Sequence, residues 1–360
     1  MPEARNSEVT IAKKEKYNSL DLFKFVMALC VVAIHTNPMA DCTSTLAVLV
    51  YDTVLNCAVP FFFLVSGYLL ASKMTWPYDQ DDSLALIHEY IISMLKLYLF
   101  WSLIYLPLRL KDYVNAGCSL ADGIIHYFLN LVFVGGYFST EFLWYLLSSI
   151  YGMLMVALCL KRRISPYGIV CIGFLVMLAG MGINHVVGFE SFCGLDHLAP
   201  QLSALLLKGL EILRRLVTLT IKDGRILMGA FYLPCGMLLA CKRIPSKVNA
   251  VVFCLVFFAC CLIDSFTLRR LLLIAVSVTL FQIVLSIKLS DHPVYPFLRR
   301  MSRMIYFLHV LVLMVLRDIG WLDSGLGLKC FSMTAAFTIA VSFFFVQAEN
   351  MRTKEKHGRT

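Results

Sequence analysis

The feature that most constrains this chain is a series of apolar stretches, each about as long as a bilayer is thick. A helix that crosses the hydrocarbon core needs roughly 20 mostly apolar residues. Because that core offers no water to unpaired backbone groups, such segments must be helical. The sequence therefore predicts an all-α membrane protein with about ten transmembrane helices. The predicted spans lie near residues 20–37, 46–72, 93–110, 141–160, 166–187, 226–241, 248–263, 271–287, 304–318 and 330–347.

The composition supports this class. Hydrophobic residues make up 59% of the chain and charged residues only 15%, whereas soluble domains have about 25% charged residues. A surface so poor in charge would not stay dissolved in water. The net charge of +9 then indicates membrane topology rather than a nucleic-acid partner. The cysteines lie mostly inside apolar runs without zinc-ligand spacing, so we predict no metal site.

The distribution of lysine and arginine predicts the orientation and the division of the chain. With the N-terminus inside and the spans alternating, the short cytosolic loops receive most of the basic residues, so both termini are expected in the cytosol. We predict a cytosolic tail over 1–18, a transmembrane domain over 19–347 and a disordered, charged cytosolic tail over 348–360. The long outer loop 188–225 has the pattern of an amphipathic surface helix. The shorter apolar stretch 121–135 is interpreted as re-entrant or interfacial.

The first predicted helix carries three ionisable residues, Asp21, Lys24 and His35. Such groups inside a membrane are energetically unfavourable and usually functional. Lys24 and His35 are 11 residues apart, which puts them on one helical face, roughly 16 Å apart along the axis. Asp21 lies one turn before Lys24 and can pair with it. Histidine suits a general base near neutral pH, although an interfacial histidine and a snorkelling lysine would look the same.

Later spans supply further candidates for binding a donor or an acceptor. In the second span, aromatic residues precede a small pair, which allows close helix packing beside a polar pocket. The fourth span opens with residues that also suit an interfacial aromatic belt. In the ninth, a histidine follows a basic cluster that can hold phosphates but also satisfies the positive-inside rule. These candidates are Phe62, Phe63, Ser66, Glu141, Trp144, Arg303 and His309.

These residues resemble the motifs of the acyltransferase-3 family of bacterial integral membrane acyltransferases. The family's first hallmark is Arg or Lys, ten residues, then His, which Lys24 and His35 match. Its second is Phe-Phe-x-x-Ser-Gly, found here at 62–67. The weaker Leu-Trp and Tyr-Leu-x-His motifs match 143–144 and 306–309, the latter with Phe in place of Leu.

The resemblance implies an acyltransferase that transfers groups other than aminoacyl groups. It implies a ten-helix domain in the bacterial plasma membrane, with acyl-CoA, typically acetyl-CoA, as co-substrate and no permanently bound cofactor. The acceptor would be a hydroxyl of a cell-surface carbohydrate or of a lipid-linked molecule; membrane lipids would be the other partners. His35 would be the essential residue and Lys24 would lie on the donor path. Many relatives have His before the Leu-Trp pair, where this chain has Phe142, so no role carries over to the adjacent Glu141.

From these expectations we derive a hypothesis for the reaction. His35 acts as general base on the acceptor hydroxyl or carries the acyl group itself. Lys24, oriented by Asp21, stabilises anionic parts of the donor, and Ser66 or nearby backbone polarises the thioester carbonyl.

Two other functions remain open from the sequence. The chain is also similar to the membrane module of serine racemases from glycopeptide-resistance systems, which is associated with serine uptake. A transporter of a small polar solute such as serine would use the same intramembrane charges, but the inverted repeats typical of transporters are not evident. A sensor or assembly scaffold would tolerate substitution of both Lys24 and His35.

Overall fold

The computed structural model describes residues 17–75, 80–117, 119–136, 142–186, 222–242, 245–263, 265–323 and 325–357. Within these ranges all regular structure is helical. A π-helical turn spans Asn130–Val134 and a 3₁₀ helix spans Lys222–Leu227. The α-helices are α1 Asn18–Thr36, α2 Thr45–Asn56, α3 Ala58–Ala71, α4 Gln80–Ile104, α5 Leu106–Asn115, α6 Leu120–Leu129, α7 Trp144–Lys161, α8 Pro166–Val186, α9 Met228–Cys241, α10 Ser246–Leu262, α11 Phe266–Ser286, α12 Val294–Asp318 and α13 Leu328–His357.

Six helical stretches of the described chain are long and apolar enough to cross a membrane, and shorter apolar helices accompany them. The protein is therefore a multi-pass membrane protein. The count of ten spans and the cytosolic position of both termini stay predictions. The six stretches are Asn18–Thr36, Thr45–Ala71, Asp81–Ile104, Trp144–Lys161, Leu268–Ser286 and Leu328–Met351.

Two predicted spans differ from the structure because proline interrupts the helical backbone. The second span consists of α2 and α3, which meet at Cys57. Pro60 has no N–H to bond the carbonyl of Asn56 four residues earlier. The third span, predicted at 93–110, ends at Ile104, and Pro107 lies in the first turn of the separate helix α5, where proline is well tolerated.

Three helices extend further than their apolar residues predict. Helix α4 begins at Gln80 rather than near residue 93. Helix α12 begins at Val294 rather than near residue 304, so its arginines are part of the helix. Helix α13 continues to His357, so the prediction of disorder after Gln347 was wrong for residues 348–357, the described part of that tail. A helix satisfies its backbone groups internally and does not have to end where its apolar side chains end. Arg303 of α12 also forms an ion pair with Glu349 of α13 at 3.6 Å.

Two further predicted segments are the stretch 121–135 and the loop 188–225, and most of the loop lies outside the described residues. The stretch predicted as re-entrant or interfacial forms α6 and the π-helical turn, which ends at Gly135 in the left-handed conformation with φ 80°. Of the predicted amphipathic loop helix, residues 187–221 lie outside the described residues. The described end of that loop forms the 3₁₀ helix that leads into α9.

Helix α9 lies at the centre of the fold and packs against α3, α7 and α8. Glycines permit backbone-to-backbone contact there: a Cβ on Gly67 would lie 2.0 Å from the Leu233 carbonyl oxygen, and one on Gly236 2.2 Å from that of Leu64. The close packing predicted around Ser66 and Gly67 is therefore confirmed for Gly67.

Helices α1 and α12 form a parallel pair that positions the candidate site. Near their starts, an Arg299 guanidinium nitrogen lies 3.6 Å from a carboxylate oxygen of Asp21. Near the end of α1, the rings of His35 and His309 are 5.0 Å apart between centroids. A residue near the start of α1 contacts one near the start of α12, and a later residue of α1 contacts a later residue of α12. The two helices therefore run in the same direction. This is the relation that an alternating topology predicts for a first and a ninth span.

Candidate functional site

The candidate site is built around His35 in the last turn of α1. The helix ends directly after it, because Asn37 adopts a left-handed conformation with φ 39°. The Thr36 carbonyl then accepts a hydrogen bond from the Gly327 N–H at 2.9 Å. His35 is half-buried, so its imidazole is fixed at the end of a packed helix and still borders open space.

His309 is fully buried beside His35. Its Nδ1 lies 2.8 Å from the carbonyl oxygen of Tyr306. A carbonyl only accepts hydrogen bonds, so Nδ1 carries the hydrogen and Nε2 of the neutral ring presents a lone pair. Within the described ranges this Nε2 has no hydrogen-bond partner. Since buried polar atoms are rarely left unpaired, Nε2 is available to accept a hydrogen from the neighbouring imidazole.

Tyr105 contacts α12 at the turn that carries His309. Its hydroxyl donates to the Phe307 carbonyl at 2.7 Å and accepts from the Leu311 N–H at 3.0 Å. These two backbone groups are four residues apart, the spacing that an α-helix joins by a hydrogen bond, so the Tyr105 hydroxyl contacts both ends of one turn of α12. Trp101 stacks on Phe307 with centroids 4.7 Å apart. The junction of α4 and α5 therefore sets the local shape of α12 next to His309.

An aromatic cluster supports the histidines from the side of α3 and α7. The Tyr306 hydroxyl donates to the Phe142 carbonyl at 2.6 Å, and the Phe62 ring lies 6.0 Å from that of Tyr306. Phe62 and Phe63 also pack against Tyr145, at 6.3 and 4.5 Å. The predicted candidates on α3 thus converge on Tyr145, which sequence reasoning did not select although it directly follows Trp144.

Ser66 takes part in this cluster. Its hydroxyl oxygen lies 3.2 Å from that of Tyr145, so the two groups form a hydrogen bond inside the protein. This contact places Ser66 beside the aromatic rings, and Ser66 is not among the described residues that line the cavity next to His35.

A cavity of about 350 Å³ opens beside His35. This volume lies at the lower end of the range for small-molecule sites. The wall is mainly apolar, but two arginines reach it from different helices. The sequence analysis selects neither arginine, since nothing in their spacing shows that the fold brings them together. The polar and aromatic residues of the wall include His35, Phe142, Trp144, Arg225, Arg270 and Tyr306.

A second group of charged residues lies three turns earlier on α1. Lys24 Nζ is 3.9 Å from a carboxylate oxygen of Asp21, which confirms the predicted pair, and Arg299 approaches the same carboxylate. Arg303 lies one turn further along α12. It forms the ion pair with Glu349 of α13 and lies away from the histidines. The cavity touches α1 only at Val31, Ile34 and His35, so it does not reach Lys24.

The other predicted residues are placed as follows. His309 follows the arginines on the same helix α12, as the sequence predicts, and its ring lies beside that of His35, a contact that the sequence analysis does not predict. Glu141 lies outside the described residues. Among the described residues, no group of three His, Cys, Asp or Glu side chains is arranged to hold a metal ion.

Comparison with known proteins identifies the family. The sequence matches the acyltransferase-3 model, described as an acyltransferase domain, over residues 17–346. The chain belongs to the acyltransferase-3 family. It is therefore a multi-pass membrane protein of that family, and the resemblance carried by the Lys24–His35 and Phe62–Gly67 motifs is confirmed.

Curated relatives of this acyltransferase-3 protein include two enterococcal racemases. An amino-acid racemase of Enterococcus faecalis is 30% identical over 194 residues, which cover 53% of this chain and 25% of the relative. A serine/alanine racemase of Enterococcus gallinarum is 30% identical over 141 residues, 39% of this chain and 19% of the relative. The match thus spans a quarter or less of these relatives' length. No solved structure matches the chain at a significant level.

The contact of Tyr105 with α12 yields a prediction for this member of the acyltransferase-3 family. Tyr105→Phe removes both hydrogen bonds to the backbone of α12, so the turn that carries His309 shifts relative to His35. We expect kcat for acyl transfer to fall about 10- to 100-fold, since misplacement by about 1 Å has effects of this size, while KM changes little. Steady-state kinetics on purified protein measures both. The control is Tyr167→Phe, which alters an exposed tyrosine on α8, and an unchanged kcat in Tyr105→Phe would contradict the assignment.

Proposed function

We propose that the protein transfers an acyl group, typically acetyl, from acyl-CoA to a hydroxyl of a cell-surface carbohydrate or lipid-linked acceptor. Family membership supports the acyl-transfer chemistry. The observation that carries the proposal is the pair of histidines: half-buried His35 borders a cavity of about 350 Å³, and the ring of fully buried His309 lies 5.0 Å behind it. This pair offers a base together with a group that can orient it.

In the proposed reaction the acceptor binds in the cavity with its hydroxyl next to His35. His35 removes the hydroxyl proton as the oxygen attacks the thioester carbonyl carbon. The carbon–sulfur bond then breaks, its electron pair goes to sulfur, and His35 returns the proton to the departing thiolate. His309 Nε2 accepts the hydrogen on the other nitrogen of His35, which keeps the reactive nitrogen directed at the cavity. His309 is therefore a positioning residue in this proposal.

The alternative route makes His35 an acyl carrier. Its ring nitrogen would attack the thioester, release the CoA thiolate and form an acyl-imidazole, which the acceptor hydroxyl would then cleave. Rapid-mixing experiments with labelled acetyl-CoA and no acceptor distinguish the two routes. Protein-bound acetyl in an amount equal to that of the enzyme supports the carrier route. If no such group forms in an enzyme that still turns over once acceptor is added, the general-base route is supported.

The donor is proposed to approach from the cytosolic end of α1 and α12. Lys24 and Arg299 flank Asp21 there, and Arg303 is on the next turn of α12. Such cations suit the phosphates of CoA. With ten spans and both termini cytosolic, this end faces the CoA pool. The route from Lys24 to His35 then requires a rearrangement, because the described cavity stops at Val31.

This arrangement predicts a donor-specific defect in Lys24→Gln. We expect KM for acetyl-CoA to rise about 10- to 100-fold, the range for loss of a hydrogen bond to a charged group, with a smaller change in kcat. Initial rates at varied acetyl-CoA measure both constants. Lys288→Gln removes an exposed cation from the loop after α11 and should behave as wild type. A normal KM in Lys24→Gln would exclude Lys24 from the donor site.

Transport is a second candidate function, because the curated relatives are named amino-acid and serine/alanine racemases. The matched part of those proteins would then supply an amino acid such as serine. Proteoliposomes separate the functions: radiolabelled serine accumulates inside if the protein transports it, whereas acetyl-CoA is consumed with release of free CoA if it is an acyltransferase. Serine uptake without CoA release would overturn the proposed acyl transfer.

A further inference from the structure

Three buried hydroxyl groups follow one another along one face of α13. Thr334, Thr338 and Ser342 are spaced four residues apart, which puts them on one side of the helix with a rise of about 6 Å from each to the next. All three side chains are fully buried. Helix α13 packs against α12 and α1, so this face lies against that pair. We call these three residues the hydroxyl line.

The hydroxyl line is polar but unpaired. Within the part of the chain that the structure describes, none of its three hydroxyls has a hydrogen-bond partner. Serine and threonine on a membrane helix can donate to the carbonyl four residues earlier. Buried hydroxyls elsewhere in this protein do so, for example Thr36 to Val32 at 2.8 Å and Thr279 to Ala275 at 2.7 Å. Because buried polar atoms are rarely left unpaired, the hydroxyl line is available to a ligand.

The direction of α13 relates the hydroxyl line to α1. Gly327, directly before α13, donates its N–H to the Thr36 carbonyl at the end of α1. Fifteen residues or so further along α13, the Phe343 ring lies 5.9 Å from that of Phe297, which is near the start of α12. Since α1 and α12 run in the same direction, α13 runs antiparallel to both.

The hydroxyl line therefore lies beside the part of α1 that the cavity does not reach. At about 1.5 Å per residue from the contact at Thr36, Thr334 lies about 10 Å and Ser342 about 22 Å along the bundle. Counted along α1 from the same contact, Val31 lies about 8 Å and Lys24 about 18 Å away. The hydroxyls thus accompany the stretch of α1 between Lys24 and the end of the cavity.

We propose that the hydroxyl line binds the pantetheine arm of the acyl-CoA donor, between α13 and the pair of α1 and α12. This inference rests on the proposed acyl transfer and assigns a site to one part of its donor. The arm connects the phosphates of CoA to the thioester and carries two amides and a hydroxyl. A serine or threonine hydroxyl both donates and accepts, so it can pair with any of these groups.

The surroundings of the hydroxyl line suit the rest of the arm. Ala28 and Val32 of α1 pack with Ala335 of α13 in one apolar cluster, which matches the methyl and methylene groups of pantetheine. With the phosphates at Lys24, the arm would lead the thioester towards His35. The rearrangement that the donor requires is then a separation of α13 from α1 and α12, which uncovers the three hydroxyls.

Fragments of CoA test this site without the reaction and without the acceptor. The probes are CoA, pantetheine, which keeps the arm and lacks the nucleotide, and phospho-ADP, the nucleotide of CoA without the arm. Isothermal titration on purified full-length protein in a neutral detergent measures their dissociation constants. The variants are Thr334→Val, Thr338→Val and Ser342→Ala, singly and combined.

The expected result is a loss that is specific to the arm. Each lost neutral hydrogen bond should weaken binding about 2- to 10-fold, so the combined variant should bind CoA and pantetheine at least tenfold more weakly and phospho-ADP as wild type does. Lys24→Gln should show the opposite pattern, with weaker binding of CoA and phospho-ADP and unchanged binding of pantetheine. If the combined variant binds CoA as wild type does, the inference is overturned.

A matched threonine and the unfolding midpoint distinguish binding from a structural role. Thr279→Val removes a buried hydroxyl that bonds to its own helix and should bind all three probes as wild type does. Since the described residues offer the hydroxyl line no partner, its removal should not lower the unfolding midpoint. A lower midpoint with unchanged CoA binding would contradict the inference, and so would equal losses of CoA and phospho-ADP binding.

The result can be separated from a failure of the proposed function. Hydroxyl-dependent binding of CoA by a protein that never transfers acetyl from acetyl-CoA would refute acyl transfer and retain the site. Acyl transfer by the combined variant with the kcat and the KM for acetyl-CoA of wild type would refute the site and retain the reaction.

Discussion

His35→Ala is expected to lower acyl transfer about 10²- to 10⁴-fold, the range attributed to a positioned general base. The protein should remain folded, because His35 borders a cavity and is only half-buried. Transfer of label from [¹⁴C]acetyl-CoA and release of free CoA measure the loss. Size-exclusion profiles and unfolding midpoints in detergent show whether the fold is retained.

A matched histidine provides the control for this variant. His88 lies on α4, is exposed and is not part of the cavity wall, so His88→Ala should keep wild-type rates. His309→Gln should lower kcat but leave KM for acetyl-CoA unchanged, since His309 acts on His35 and not on the donor. Full activity in His35→Ala would remove His35 from the mechanism.

Gly236→Ala is expected to destabilise the whole bundle. The added Cβ would lie 2.2 Å from the Leu64 backbone oxygen, so α3 and α9 would have to move apart. Overpacking of a core typically destabilises by about 1–3 kcal/mol and sometimes more. Here the obstacle is backbone, which cannot turn aside as a side chain can. We expect the unfolding midpoint to fall by about 2–12 °C, given about 1–3 kcal/mol and a shift of about 2–4 °C per kcal/mol for domains of 150–250 residues.

Another helical glycine distinguishes this steric effect from a general effect of alanine. A Cβ on Gly123 of α6 would lie 3.7 Å from the Tyr113 side chain, which is ordinary contact. Gly123→Ala should therefore be neutral or slightly stabilising, because alanine favours helices more than glycine does. If Gly236→Ala unfolds at the wild-type temperature, α3 and α9 do not pack as closely as described.

Local patterns in the sequence predicted the features that lie on one helix. Helical periodicity placed Lys24 and His35 three turns apart, and one-turn spacing predicted the pairing of Asp21 with Lys24 that the structure contains. The small pair after the aromatics on α3 predicted close helix packing. Each of these conclusions depends only on the geometry of a single helix.

Features that depend on the assembly of several helices were not predictable in the same way. The contact between the rings of His35 and His309 joins two helices that lie far apart in the sequence, and no pattern on either helix predicts it. The contact of Tyr105 with α12 joins residues more than 200 positions apart, and no periodicity reports it. No local pattern selects Arg225 and Arg270, because their position beside His35 depends on how the helices that carry them pack.

The measurement that most directly tests the account is the ester content of the cell envelope. Surface glycans and lipid-linked sugars from cells that carry the wild-type protein, the His35→Ala variant or neither are compared by mass spectrometry before and after mild base. The account predicts base-labile acyl esters, typically acetyl, with the wild-type protein alone. Equal ester content in all three, with the wild-type protein present and folded in the membrane, would contradict it.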